Sequence, residues 1–406
     1  MLQCPDKYGL IGSNALPRHL SARRAASGIA AGLLLAVAGC SSGDGGTTGT
    51  AAPSTAATQA GGSSSAAATG CATAAPAAAT NPAASTNPAA STDPGAAAAT
   101  LTATQAFLGT LDATQQTAVQ AERTQENLSL WSNLPDQLFK RAGLRMDKLT
   151  AAQRTAAQDV LKAALSDEGY RQVTQISTAD GVLAASGGMN LDFGADHYWI
   201  RLVGAPAATG RWTIQYGGHH LAVNITVAGK AMTLAPTLWG AQPASYPAGG
   251  TSAEPLCGET RKAFALVGAL DATQQKAAIL TAPVKEIVLG AGQDGKTLAA
   301  EGVKASTFTD AQKQLLLALV DEWITPLNPG QAAAKLAAVE KDLGSVTFAW
   351  YGATTIGQPI YYRVQGPAFT IEFAHQQGQG ANAGGITHIH SIYREPGNDY
   401  GAGLPA

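Results

Sequence analysis

Six residues, Leu111-Asp112-Ala113-Thr114-Gln115-Gln116, return unchanged as Leu270-Asp271-Ala272-Thr273-Gln274-Gln275, 159 positions later. At the same offset Gly109 meets Gly268, and Thr150-Ala151-Ala152-Gln153 meets Thr309-Asp310-Ala311-Gln312. A chain that repeats itself at a fixed distance is built from repeated structural units. All four segments have the form Asp/Thr-x-x-Gln ahead of an apolar-periodic stretch. This is the capping box, in which the first side chain accepts from a backbone N–H and the glutamine reaches back. Each half is therefore expected to open with two helices.

A second set of matches falls at an offset of 148: Gly204 with Gly352, and Gly218-His219-His220-Leu221-Ala222-Val223-Asn224 with Gly366-Pro367-Ala368-Phe369-Thr370-Ile371-Glu372. Here the period is two. Leu221, Val223, Ile225 and Val227 alternate with Ala222, Asn224 and Thr226, and Ile360-Tyr361-Tyr362-Arg363-Val364 is a β-branched and aromatic run. Helices followed by consecutive strands in each half predict an α+β domain over residues 101–406. Its two related halves, about 101–255 and 256–406, would pack about a pseudo-twofold with a largely antiparallel sheet.

The chain ahead of this domain reads differently. Arg18, Arg23 and Arg24 precede a charge-free stretch, residues 25–39, that ends in Val37-Ala38-Gly39-Cys40. Basic-then-apolar order marks a secretory signal peptide, and the stretch is shorter than the ~20 apolar residues that span a bilayer. Val-Ala-Gly-Cys is the lipobox pattern. Residues 1–39 are thus expected to be a lipoprotein signal peptide and Cys40 the lipidated residue, with a true start codon downstream of Met1. Residues 40–100 are Ala, Thr, Ser, Gly and Pro with almost no large apolar side chain. They cannot offset their ordering entropy and predict a flexible linker, with a reach of about 40 Å for ~60 residues. The expectation is a protein of the bacterial cell envelope, its membrane partner reached through a lipid anchor on the extracytoplasmic side.

Loss of the leader removes Lys7, Arg18, Arg23, Arg24 and Asp6, taking the formal charge from -2 to -5. An acidic balance without a Lys/Arg cluster lacks the electrostatic term on which nucleic-acid binding depends, so nucleic acid is excluded as a partner. Beyond the leader and Cys40 only Cys71 and Cys257 remain. Whether they pair is left open.

Of the seven histidines all but His19 lie beyond the linker, in strand-like sequence: His197, His219, His220, His375, His388 and His390. Alternate residues of a strand share a face, so His388 and His390 should project together, and so should His220 and Asn224. Glu372 takes the place of Asn224 in the second half. If the polar faces meet across a shared cleft, His220, His388 and His390 become metal ligands, for zinc or iron, with Glu372 as catalytic base. Arg363, Arg394 and Asn224 then become candidates for binding a small-molecule or polymer substrate. Arg201 lies in the same strand-rich regions. The plain alternative is a polar sheet face whose histidines bond backbone and carboxylates, with the arginines as structural bridges to Glu372 or Asp399. Trp199, Trp212, Trp239, Trp350, Tyr361, Tyr362 and Tyr393 are candidates for pocket walls, although aromatics in strands are usually core.

Within residues 101–406 there is no Gly-x-Ser-x-Gly elbow and no His-Glu-x-x-His motif. Metal-assisted hydrolysis is the enzymatic reading left by elimination. A non-catalytic ligand-binding or structural envelope lipoprotein is the other.

Gly217-Gly218-His219-His220-Leu221-Ala222-Val223-Asn224, Tyr361-Tyr362-Arg363-Val364-Gln365-Gly366-Pro367 with Ile371-Glu372, and the closing run from His388 to Gly401 resemble the domain of unknown function 3500 family, over residues 101–406. The resemblance implies an exported or anchored protein with a paired-histidine and His-x-His signature, and no established activity. It carries over His219, His220, Asn224, Arg363, Glu372, His388, His390, Arg394 and Asp399 as motif positions.

Overall fold

The structure is a computed structural model describing residues 94–187, 191–377 and 385–405. Cys40, Cys71, the signal peptide and nearly all of the expected linker lie outside the described residues. The described residues start at Pro94, ahead of the expected boundary at 101. Helix α1 (Pro94–Gly109) buries Ala96, Ala97 and Thr100, and an alanine-rich start reads as linker until its packing is seen.

All four capping boxes form. Asp112, Thr150, Asp271 and Thr309 each accept from the backbone N–H of the glutamine three residues on, whose side chain bonds back. In the first half they start α2 (Ala113–Val119) and α4 (Ala151–Ala164), with β1 (Gln120–Ala121), α3 (Gln125–Leu128) and β2 (Leu144–Arg145) between them. Helix α5 (Asp167–Ala185) follows, then β3 (Trp199–Val203), β4 (Arg211–Gly218), β5 (Leu221–Ala228), β6 (Ala231–Thr233) and β7 (Thr237–Ala241). A small hairpin, β8 (Tyr246–Ala248) and β9 (Thr251–Ala253), leads to the second half. That half runs α6 (Cys257–Ala269), α7 (Ala272–Ala278), β10 (Val303–Lys304), α8 (Asp310–Ile324), α9 (Pro329–Lys341), β11 (Thr347–Gly352), β12 (Ile360–Gln365), β13 (Thr370–Gln377) and β14 (Ile386–Arg394).

The recurrence in sequence is accompanied by a recurrence of contacts. Gln153 Nε2 donates to Thr110 O and Gln115 Oε1, at 3.0 and 2.8 Å, and Gln312 Nε2 to Ala269 O and Gln274 Oε1, both at 2.7 Å. Gly204 and Gly352 both take positive φ, 88° and 108°, a region open to glycine at no steric cost.

The main sheet follows the order β1-β3-β4-β5-β7-β14-β13-β12-β11-β10. Only β1–β3 is parallel among its strand pairs, so the α+β, largely antiparallel expectation holds. The halves meet where β7 pairs antiparallel with β14.

Both faces of the sheet are covered. On one, Trp212, Ile214, Val223, Ile225, Ile371 and Phe373 pack with helix residues such as Phe107, Leu161, Leu319 and Trp323. On the other, Val203, Ala222, Leu238 and Ile392 pack with Leu128, Trp131, Leu289 and Tyr400, which come from connecting segments. This accounts for β5, whose sequence alternates although every residue is buried: its polar members face the second layer rather than solvent. The aromatics expected as pocket walls are mainly core. Trp212, Trp239, Trp350 and Tyr362 are all 0% exposed, and truncating such a tryptophan costs about 3–5 kcal/mol.

Candidate functional site

His388 and His390 stand two apart on β14 and project from one face, as the strand period requires. His220 arrives differently. It occupies the two-residue turn between β4 and β5 with φ 61°, so strand parity does not place it. A non-glycine side chain in this left-handed region is strained, a feature that gathers at functional sites. The turn is fixed by His220 N–H donating to Asn133 O at 3.2 Å and by Gly240 N–H donating to His220 O at 2.8 Å. Gly240 pairs in turn with His390 across β7–β14. A Cβ at Gly240 would lie 2.6 Å from Ile389 O and 3.3 Å from His220 Cδ2, so the imidazoles fit because this position carries no side chain.

The result is a cluster. Ring centroids are 5.2 Å apart for His220–His388, 4.9 Å for His220–His390 and 5.1 Å for His388–His390. One nitrogen from each of the three lies within 4.8 Å of the others. His219 stacks beside them, its ring 3.8 Å from that of His220. Its Nδ1 lies 2.6 Å from Oδ1 of the buried Asp180, whose Oδ2 accepts from Gly194 N–H at 2.9 Å.

The ring nitrogens are not equivalent. His390 Nδ1 is 2.9 Å from a Glu286 carboxylate oxygen, and His388 Nδ1 is 3.0 Å from Thr387 Oγ1. His220 Nδ1 is buried with no hydrogen-bond partner among the described residues. An orphaned buried polar atom costs about 1–3 kcal/mol, and a ligand removes that cost. Burial, and secondarily the neighbouring imidazoles, hold His220 well below the usual imidazole range and His388 down to about 3. Burial also lowers His219, opposed by the Asp180 carboxylate. Neutral imidazole is the form that binds metal. Three imidazole donors at this spacing suit zinc or iron. The residues fit a metal ion, with a further coordination position left to water or substrate.

The register puts Asn224, Glu372 and Arg363 on the same sheet face as His388 and His390, as parity suggested, through the pairs Gln215↔Asn224, Arg363↔Glu372 and Glu372↔Ile392. Convergence stops at the imidazoles. Glu372, expected as catalytic base, is 0% exposed. Its carboxylate accepts from Val288 N–H twice (3.0 and 3.1 Å), Leu289 N–H (2.8 Å) and Tyr361 O–H (2.6 Å), so both oxygens are engaged away from the imidazoles. Arg394, expected to bind substrate, donates to Leu289 O, Gly290 O, Asp294 and Asp399. Arg363 donates to Ala299 O and Glu301, and Arg201 to Asn127. Asn224 accepts from Gln215 and donates to Pro236 O. Of the expected structural bridges, Arg394–Asp399 is present, while Arg363 pairs with Glu301 and Arg201 with Asn127.

Sequence reasoning missed Glu286, Asp180 and Thr387. Glu286 is 104 residues from His390 and Asp180 is 39 from His219, and neither lies in a motif. Cys257 is disulfide-bonded. Among the described residues no helix is long and apolar enough to cross a membrane.

A family model described as a protein of unknown function (DUF3500) matches residues 94–402. No curated protein and no solved structure matches the chain.

Proposed function

Starting from a chain that belongs to the DUF3500 family, we propose an extracytoplasmic lipoprotein, anchored through Cys40, whose folded domain holds one divalent zinc or iron ion on His220, His388 and His390 and supports hydrolysis there. The observation that carries this reading is the meeting of three imidazoles around a single point, His220 buried and His388 and His390 half-buried, with His220 Nδ1 lacking a hydrogen-bond partner among the described residues. A metal ion in such a site supplies a bound water acidified to a pKa near 7 and polarises a substrate oxygen. The chain contributes three imidazoles aimed at one point, a backbone slot at Gly240 that admits them, and burial that favours the neutral form of His220 and His388. Three protein ligands rather than four leave room for a small molecule or the end of a polymer. Export is supported by the Cys257 disulfide, because such bonds persist in oxidising compartments.

A second reading, a metal-bearing but non-catalytic binding or structural lipoprotein, is favoured by the full engagement of Glu372, the carboxylate that hydrolysis was expected to use. Metal analysis of the detergent-solubilised full chain tests the shared premise. One equivalent of zinc or iron per chain, absent from the His388→Ala/His390→Ala variant, is expected. A metal-free protein whose melting does not respond to divalent ions refutes it. For the anchor, Cys40→Ser is expected to move the chain from the membrane to the soluble fraction.

A further inference from the structure

Residues 281–302 run between α7 and β10 across the face of the sheet that carries the imidazoles. The strap is tied down along its length. Gln376 Nε2 donates to Lys285 O at 3.0 Å, Arg394 Nε to Leu289 O at 2.7 Å and Gln365 Nε2 to Leu298 O at 2.8 Å. The tightest tie is Glu372, whose two oxygens take the successive N–H groups of Val288 and Leu289. Two residues before that tie stands Glu286. Its side chain is half exposed, yet both carboxylate oxygens lie on His390 Nδ1, at 3.0 and 2.9 Å, and Oε1 also accepts from Ile287 N–H at 2.8 Å.

A carboxylate on one ring nitrogen fixes both the tautomer and the orientation of a ligating histidine. We infer that Glu286 is a positioning residue of the metal centre, holding His390 with Nδ1 protonated and Nε2 left for the ion, and that Glu372 acts on the centre through the strap that carries Glu286. This rests on the metal reading above, and it gives Glu372 a function other than the one its sequence position suggested. Every group around the Glu372 carboxylate is a donor, so an amide in its place would turn its NH₂ toward an N–H or O–H and loosen the strap.

The test is zinc affinity of the full chain, measured by competition with a chelator. Glu286→Gln, which keeps an acceptor without its charge, is expected to bind about 10-fold more weakly than the unmodified protein, and Glu286→Ala up to about 100-fold more weakly. Glu372→Gln should weaken binding as well, but in the Glu286→Ala background it should cost nothing further, because its effect passes through Glu286. Unchanged affinity in Glu286→Ala, or additive losses in the double variant, overturns the inference and leaves the metal site standing. A second arm does not need the metal. In metal-free protein the ¹⁵N shifts of His390 should report the Nδ1–H tautomer, giving way to a mixture in Glu286→Ala. An unmodified protein that binds no zinc removes the metal reading, and a His390 tautomer that ignores Glu286→Ala removes this inference independently.

Discussion

The turn between β4 and β5 and the turn between β12 and β13 hold matching places in the two halves, and they have been put to opposite uses. The first is Gly218-His219-His220, beside Asp180 of α5, and its side chains fill the space with imidazoles and a buried carboxylate. The second is Gly366-Pro367-Ala368, beside Val339 of α9, and there a cavity of about 250 Å³ remains, bordered by Pro367, Ala368, Phe369 and Val339. Asp180 and Val339 are separated by the same 159 residues as the repeated capping boxes. In both places a helix, a turn and a strand end come together, one filled by imidazoles and a carboxylate, the other left as a mostly apolar hollow that also borders Lys335, Asp342, Glu395 and Asn398.

The largest effect that tests this contrast is on metal binding. Converting the first turn toward the second by His220→Ala should abolish stoichiometric zinc. His220→Gly should abolish it equally but be the more stable by about 1 kcal/mol, because glycine accepts φ 61° without strain. Metal content and chemical denaturation of the two variants decide it, and equal stability would show that the left-handed turn is not strained.

A middle effect compares the helices behind the turns. Asp180→Ala strips the buried His219 ring and Gly194 N–H of their acceptor and is expected to cost about 1–3 kcal/mol. Val339→Ala, which only enlarges an existing hollow, should cost less, about 1 kcal/mol. Urea titrations giving equal losses would break the comparison.

The smallest expected effect sits where Thr100 of α1 and Glu259 of α6 match at the same offset. Thr100 is fully satisfied by Ala96 O and Ala163 O. Glu259 is a buried carboxyl raised well above its usual range, first by burial and then by Glu322. With the folded pKa above the unfolded one, the native state holds the proton more tightly. Its stabilising contribution is complete below the unfolded pKa, near 4.5, and is lost as pH rises toward the folded value. Glu259→Gln should therefore raise the melting temperature at neutral pH, by the equivalent of ~1 kcal/mol, and flatten the decline between weakly acidic and neutral pH. A variant with an unchanged pH profile would mean that Glu259 titrates normally.

Local signals carried most of what was readable in advance. The boxes at Asp112, Thr150, Asp271 and Thr309 could be read because a cap is decided within four residues, and the shared side of His388 and His390 because a strand alternates. The long pairings were not legible: Gln153 with Gln115, Asp180 with His219 and Glu286 with His390 depend on packing that no window of sequence contains. Glu372 shows how parity alone misleads. It names the correct face, yet the partners of a carboxylate on that face are set by a strap crossing from elsewhere in the chain.

Gly240 leaves the seam between the halves bare of side chains at one point. A single methyl group there would press on the Ile389 carbonyl and on the ring of His220 at once. It would both push on the β7–β14 ladder and crowd the His220 ring. Position 240 thus acts as a veto over the site, held by a residue that touches no ion and offers no chemistry of its own.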